Sequence, residues 1–263
     1  MRTHTRATAF GKATAVVAAV VLLYLLLPAT QLSAQTGRPR VTASTAWVAA
    51  IAEAAGAEVL RVLAPIELRH PAEYDFRPSD VRHAVDADWL VWAGYEGFMR
   101  NLLQAVEFPA ERVLRVHTNN SPPVLREVVG GLAADLGTEA AFIRWQAELD
   151  ALAREIEANA VAAGVDQIRL AVHEHHRVVA EWLGYNIVAT FGPGELTPTA
   201  LRQILAEEPQ LIIDNWHMPS GEVLQGDGRE YHALINFPGR AGTESLLDVL
   251  RFNAVRLGIL SEP

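Results

Sequence analysis

The stretch TEAAFIRWQAELDALAREIEANAVAAG, residues 138–164, decides how the rest of the chain is divided. Its large apolar residues recur at steps of three and four, the spacing of one face of an α-helix. They are Phe142, Trp145, Leu149, Leu152 and Ile156. Neither glycine nor proline interrupts the stretch before Gly164. We therefore predict one long, stiff amphipathic helix over residues 138–163, which connects the two parts of the chain on either side.

Strand-like and helix-like segments alternate on both sides of this helix. In the first part, RVTAS (40–44) and EVLRVLA (58–64) have the composition of strands, and TAWVAAIAEAAG (45–56) between them that of a helix. The second part has the strand-like segments IRLAV, NIVATF and QLIID. This alternation predicts an α/β fold with two parallel-sheet lobes, residues 35–137 and 164–263, joined by the helix, with a cleft between them.

The N-terminus has the layout of a secretory signal. A basic region with Arg2, Arg6 and Lys12 precedes an apolar run of residues 13–27, which Pro28 ends. The run is shorter than the roughly 20 residues that a membrane-spanning helix needs. We therefore predict a signal peptide over residues 1–34 and an exported, periplasmic or otherwise extracytoplasmic protein. The alternative is an uncleaved membrane anchor.

Composition excludes several classes of function. The formal net charge is −9, arginine supplies nearly all of the positive charge because Lys12 is the sole lysine, and no basic stripe is visible in the sequence, so we expect no nucleic-acid partner. Without cysteine, the chain has no disulfide, no thiolate metal ligand and no cysteine for a lipid anchor. Half of the residues are hydrophobic, which is ample for a buried core.

Histidines and one carboxylate follow the predicted strands. His117 ends a strand-like segment of the first lobe, and His70 lies in a loop after another; His173 and Asp214 end two strands of the second. Because ligands of open α/β sheets bind at the carboxyl ends of the strands, a cleft between the lobes would gather these side chains. Imidazole with carboxylate suits Zn²⁺ or Mn²⁺ better than Ca²⁺ or Mg²⁺.

These segments resemble the exported metal-binding receptors of zinc and manganese ABC importers. RHPAEYDFRPSDV (69–81) is similar to that family's Asp-Pro-His-x-Tyr-x-Pro-x-Pro-Ser-Asp segment, and the stretches 116–137, 172–185 and 243–257 are similar to its second and third histidine segments and its closing helix. The motifs are dispersed over nearly the whole mature chain. The resemblance implies a monomeric, non-enzymatic receptor whose cargo is one divalent ion, zinc favoured over manganese, delivered to the membrane permease of an ABC importer.

The first histidine motif departs from the family pattern. If the register is kept from Tyr74 to Asp80, the family histidine falls on Ala72, and His70 lies two positions earlier. We expect a rearranged loop to present His70, with Glu73 as the less favoured substitute.

The segment expected to hold the fourth ligand also differs from the family pattern. Many family members have an acid near the last strand, where LINFPGRAG (234–242) has only Asn236. The predicted metal site is therefore His70, His117 and His173 with Asp214. His217, His232, Asn236 and water are alternatives for the fourth position.

The segment LAVHEHHRVVAEWLGY (170–185) contains two further histidines. His175 and His176 would lie on the first turn of the next helix, where neighbouring side chains point in different directions. We expect both to be solvated, and the alternative for His175 is to orient a ligand imidazole through its other nitrogen.

The sequence is compatible with two other functions. One is a receptor of the same architecture for a metal chelate such as a corrinoid or a siderophore, its cleft lined by aromatic residues near the ends of strands or helices: Trp92, Tyr95, Trp182 and Trp216. The other is a zinc hydrolase with Glu174 as the general base. The histidine spacing matches neither His-x-His-x-Asp-His nor His-Glu-x-x-His, and the chain has no Gly-x-Ser-x-Gly motif.

Overall fold

The structure is a computed structural model that describes residues 37–66, 68 and 71–262. The predicted signal peptide, residues 1–34, lies outside the described residues, and so does the predicted ligand His70. Among the helices formed by the described residues, none is long and apolar enough to cross a membrane.

The first sheet is built from four parallel strands. They are β1 (Arg40–Ala43), β2 (Glu58–Val62), β3 (Trp89–Trp92) and β4 (Val113–Arg115). Their order across the sheet is β2-β1-β3-β4. Val41 of β1 pairs with Val59 on one side and with Trp89 on the other. The inner strands β1 and β3 are almost wholly buried, as expected for short apolar strands of a parallel sheet.

The second sheet repeats this arrangement. Its strands are β5 (Arg169–His173), β6 (Asn186–Phe191), β7 (Leu211–Asn215) and β8 (Glu230–Leu234), in the order β6-β5-β7-β8. All of its strand pairs are parallel. The predicted α/β fold with two parallel-sheet lobes is therefore confirmed.

Helices cover the sheets. They are α1 (Ala46–Ala54), α2 (Pro78–Val85), α3 (Gly97–Ala105), α4 (Pro122–Leu136), α5 (Glu139–Ala162), α6 (Arg177–Leu183), α7 (Pro198–Ala206) and α8 (Leu246–Arg256). Capping residues determine where several of the helices begin and end. The Thr45 hydroxyl accepts a hydrogen bond from the backbone amide of Val48 at the start of α1. Ser245 and Asp248 form a capping box at the start of α8. Gly137 ends α4 at a φ of 69°, a left-handed conformation that glycine adopts without strain.

Helix α5 corresponds to the long helix predicted from the sequence, and it has 24 residues. Leu149, Leu152 and Ile156 are buried on it, whereas Phe142 and Trp145 are half-buried at the edge of the core. One continuous apolar cluster includes this face together with Val41 of the first sheet and Leu170 of the second. The helix therefore packs against the cores of both lobes in addition to connecting them in sequence.

Candidate functional site

A cavity of about 510 Å³ lies between the two lobes. The lining residues come from the carboxyl-end side of the strands, either as the last residue of a strand or from the segment that follows it. The first lobe provides Thr45, Trp47, Pro71, Glu73, Tyr95, Thr118 and Asn119, and the second provides Glu174, His175, Asn215, His217, Met218, Asn236 and Phe237.

The strand order explains why the cavity forms here. In each sheet the chain leaves the first strand toward one edge and continues from the third strand toward the other, so the connections diverge between β1 and β3 and between β5 and β7. A crevice opens at such a switch point, at the carboxyl ends of the strands. The two sheets place their switch points on the same cavity, as the lining residues after all four of these strands show.

Side chains also meet directly across the cavity. The side-chain amide of Asn120 in the first lobe donates a buried hydrogen bond of 2.5 Å to the carbonyl oxygen of Asn236 in the second. The rings of Trp47 and Phe237 lie 6.1 Å apart between centroids. The loop after β8 is therefore fixed to both lobes in this state.

His217 is the buried imidazole of the cavity wall. Its side chain is only 5% exposed and stacks on Phe237 with ring centroids 3.9 Å apart. Asn215 orients this turn, because its side-chain oxygen accepts from the amide of His217 at 2.8 Å. Nε2 of His217 is buried and has no hydrogen-bond partner among the described residues. Burial, and secondly the charge of Arg240, lower the pKa of His217 to about 4, so its ring is neutral at physiological pH.

His173, the predicted ligand of the second lobe, is placed differently. It is fully buried at the end of β5, and its Nδ1 accepts from the backbone amide of His175 at 3.1 Å. Burial, followed by the neighbouring His175, lowers the pKa of His173 to about 4. A neutral ring that accepts at Nδ1 carries its hydrogen on Nε2, which lies against Gly192. In this state His173 has no free lone pair to offer a metal ion.

Asp214, the predicted fourth ligand, is fully buried at the end of β7. Its carboxylate accepts hydrogen bonds from the backbone amides of Asn215, Ser220 and Gly221 and from the hydroxyl of Tyr231. These bonds hold the loop after β7 in place. The donors occupy both carboxylate oxygens, so the geometry gives Asp214 a structural role.

His117 is exposed and does not line the cavity, although its neighbours Thr118 and Asn119 do. Of the alternatives for the fourth position, His232 lies 3.8 Å from Glu230 and away from the cavity lining, whereas Asn236 lines the cavity with a buried, unpartnered Oδ1. Within the described part of the chain, which omits His70, no three His, Asp or Glu side chains form a group that could hold a metal ion.

The two extra histidines after β5 differ from each other. His175 lines the cavity and keeps an exposed side chain, and partial desolvation by the surrounding cavity wall lowers its pKa. His176, expected to be solvated, is only 2% exposed, and its Nε2 lies 3.4 Å from the side-chain nitrogen of Asn215. That expectation was wrong because residues Glu174–His176 form a 3-10 turn, which directs His176 inward, and α6 begins only at Arg177.

For a chelate receptor, we predicted that Trp92, Tyr95, Trp182 and Trp216 line the cleft. Of these four residues, Tyr95 lines the cavity. Trp92 is buried, and the indole of Trp182 donates to Glu157. Trp216 stands edge-on to His217 beneath the guanidinium of Arg240. Sequence reasoning missed Trp47 and Phe237, although each follows a strand end by a few residues, which is the signal that would have identified them.

Gly192 makes the position of His173 testable. Its φ of 79° disfavours any residue with a side chain, and a Cβ added there would overlap the His173 imidazole. We expect Gly192→Ala to lower the free energy of unfolding by about 2 kcal/mol in urea titrations. Gly194→Ala is the matched control, since a Cβ there has open space. Equal losses in the two variants would contradict the packing described for His173.

This chain is similar to known proteins in structure. No family model matches the chain, and a search of curated proteins finds no match. Solved structures do match. The SBP FpvC from Pseudomonas aeruginosa in complex with Mn²⁺ has a TM-score of 0.65 at 18% identity, over 84% of this chain and 97% of that one.

Two further structures are similar over the same share of this chain. The periplasmic zinc-binding protein TroA from Treponema pallidum has a TM-score of 0.61 at 14% identity, with 84% of this chain and 98% of that chain covered. The laminin-binding protein Lmb of Streptococcus agalactiae is described as having adhesin and metal-transporting activity. It has a TM-score of 0.63 at 16% identity, with 84% of this chain and 100% of that chain covered. The chain therefore has the fold of the helical-backbone metal receptors, and the resemblance read from its motifs is confirmed at the level of fold.

Proposed function

We propose that this chain is an extracytoplasmic solute-binding protein that captures a divalent transition metal and delivers it to the membrane permease of an ABC importer. The observation that carries the proposal is His217: a neutral imidazole with a buried, unpartnered Nε2 in the wall of the interlobe cavity. Neutral imidazole is the form that ligates metals, and zinc is the favoured ion. The fold shared with the manganese, zinc and nickel complexes or binding proteins among the structural matches supports this function.

The proposed ligands combine the motifs with the contacts. His70 and His117 are proposed from their place in the sequence motifs of the first lobe. His173 is proposed on the same ground, and its ligation requires the ring to leave the amide of His175. For the fourth position we propose His217 in place of Asp214, because the Asp214 carboxylate is already engaged by backbone amides and Tyr231.

A binding protein needs no catalytic residue at its cavity, and the contacts of Glu174 support a binding protein. Glu174, the base imagined for a hydrolase, is exposed and lies within 3.6 Å of Arg177 at the following helix start. A partly exposed glutamate paired in this way is typical of a helix N-terminus. We therefore propose a monomeric binding protein and not an enzyme.

Calorimetric titration of chelator-stripped mature protein with Zn²⁺ and Mn²⁺ tests the proposal. We expect one tight site for a divalent transition metal, with zinc bound more tightly than manganese, because imidazole donors favour zinc. Assays with ester substrates run on the same preparation serve as the control for catalysis. Absence of any transition-metal binding, alone or with a chelator, would contradict the proposed function, and so would efficient ester turnover.

A further inference from the structure

We propose that His176 is a positioning residue of the metal site: its ring fixes the side-chain amide of Asn215, and that amide holds the turn that carries His217. His176 is not among the described residues that line the cavity, so it acts without touching the metal. The inference rests on the proposed function, because it takes His217 as a metal ligand.

The side-chain amide of Asn215 has its orientation set by the turn that follows it. Asn215 is the last residue of β7 and is fully buried. Its Oδ1 accepts from the backbone amides of His217 at 2.8 Å and Met218 at 3.0 Å. In the flipped amide, the NH₂ group would face these two N–H donors, and neither donor would have an acceptor. The two backbone donors therefore fix which side of the amide carries the nitrogen.

His176 supplies the acceptor for that nitrogen. Nδ2 of Asn215 lies 3.4 Å from Nε2 of His176, whose side chain is only 2% exposed. Because an amide nitrogen donates and does not accept, Nε2 is the acceptor, and the neutral ring carries its hydrogen on Nδ1. Removing this acceptor leaves a buried N–H group unpaired, which a rotation of the Asn215 amide relieves at the expense of the turn. The separation is long for a hydrogen bond, so we expect its loss to loosen the turn without unfolding it.

The turn held by Asn215 determines where the ring of His217 lies. That ring stacks on Phe237 with centroids 3.9 Å apart and stands edge-on to Trp216 at 5.0 Å. The far end of the same loop is held separately, because the Asp214 carboxylate accepts from two of its backbone amides. The start of the loop depends on Asn215. A ligand that is held in place before the metal arrives loses little conformational freedom on binding, which favours high affinity.

Two other routes lead from His176 to the metal site. His176 follows His173, the proposed ligand at the end of β5, by three residues in the 3-10 turn after that strand, so its removal could displace His173 instead. Loss of a buried ring also lowers the stability of the whole lobe. If His176 acts through Asn215, its effect on zinc affinity disappears once His217 is removed. Neither of the other routes has this property.

Competition with a chromogenic chelator on stripped, mature protein measures the zinc affinity of each variant. His176→Leu fills the buried site but has no acceptor, and it should weaken zinc binding by about tenfold or more, as for groups that orient a metal ligand. His176→Gln offers a side-chain oxygen to Asn215, so its affinity should stay within about threefold of wild type. Val179→Ala is the control for lost stability, because Val179 is a buried residue of α6 outside the cavity lining. It should lower the unfolding temperature and leave zinc affinity unchanged.

A double-mutant cycle decides whether His176 acts through His217. In a His217→Phe background, the addition of His176→Leu should weaken zinc binding by less than about threefold. An equal loss in both backgrounds would overturn the inference, since the effect then bypasses His217. Co²⁺ provides a second readout, because its visible absorption bands depend on the number and arrangement of its ligands. The bands should shift in His176→Leu and stay in place in Val179→Ala.

Asn215→Leu keeps the inference testable if His176→Leu does not fold. It removes both the acceptor for the turn and the donor to His176, so it should weaken zinc binding by at least about tenfold. Thermal unfolding verifies that each variant is folded. Wild-type zinc affinity in a folded His176→Leu or Asn215→Leu protein overturns the inference and leaves the proposed function standing. Absence of Zn²⁺ binding by the wild-type protein overturns both.

Discussion

Replacing His217 by alanine is expected to weaken transition-metal binding by more than 100-fold. The imidazole is buried in the cavity wall, and its Nε2 has no partner among the described residues, so it is the proposed direct ligand. Loss of an outer-shell group that merely orients a ligand typically reduces metal affinity by about 10–100-fold. Loss of a direct ligand should exceed that range. Competition with a chromogenic zinc chelator measures the affinity of wild type and variant.

His232→Ala is the matched control for this experiment. His232 is a half-buried histidine of the same lobe, but it lies beside Glu230 and outside the cavity lining. Its removal should leave zinc affinity within about threefold of wild type, since surface substitutions away from a site rarely change free energies by more than about 0.5 kcal/mol. His217→Phe separates lost ligation from lost stacking, because the phenyl ring can still pack on Phe237 but has no nitrogen to bind the metal. Comparable losses for His217→Ala and His232→Ala would refute the assignment of His217.

The fold was predictable because its signals are periodic. The apolar steps of residues 138–163 predict α5, and the short apolar runs predict inner strands such as β3 and β5. The location of the cavity was predictable too, because the carboxyl ends of parallel strands form its wall. These features depend on residue type at fixed spacing, and both can be read directly from the sequence.

Side-chain direction beyond the strand ends was not predictable, because it depends on the path of each loop. Asp214 lies one residue before the end of its strand, yet the loop after β7 folds back and donates its amides to the carboxylate. His176 is buried because a 3-10 turn precedes α6 and changes the direction of the side chain by a fraction of a turn. His217 follows the same strand as Asp214, and only the turn that Asn215 stabilises presents it to the cavity.

Acid should destabilise the metal-free protein strongly, and His176 should be a principal cause. Burial, and secondly the neighbouring His173, lower the pKa of His176 to about 3, whereas an unfolded histidine titrates near 6.5. The unfolded state therefore binds more protons than the folded state between these values. The stabilisation is complete above about pH 6.5 and is lost as the pH falls toward 3. At pH 4.5 we expect a loss of about 3 kcal/mol from this residue alone.

Urea unfolding of stripped protein at pH 7, 5.5 and 4.5 measures this loss. His176→Gln removes the titrating ring but keeps a polar side chain beside Asn215, so its unfolding free energy should fall less with acid than that of wild type. His173 and His217 leave a residual slope in the variant, because burial lowers the pKa of each to about 4. His117→Gln, at an exposed histidine, should keep the full wild-type slope. If His176→Gln also keeps it, the ring of His176 is not buried and neutral in the folded protein, and the inward 3-10 turn after β5 is wrong with it.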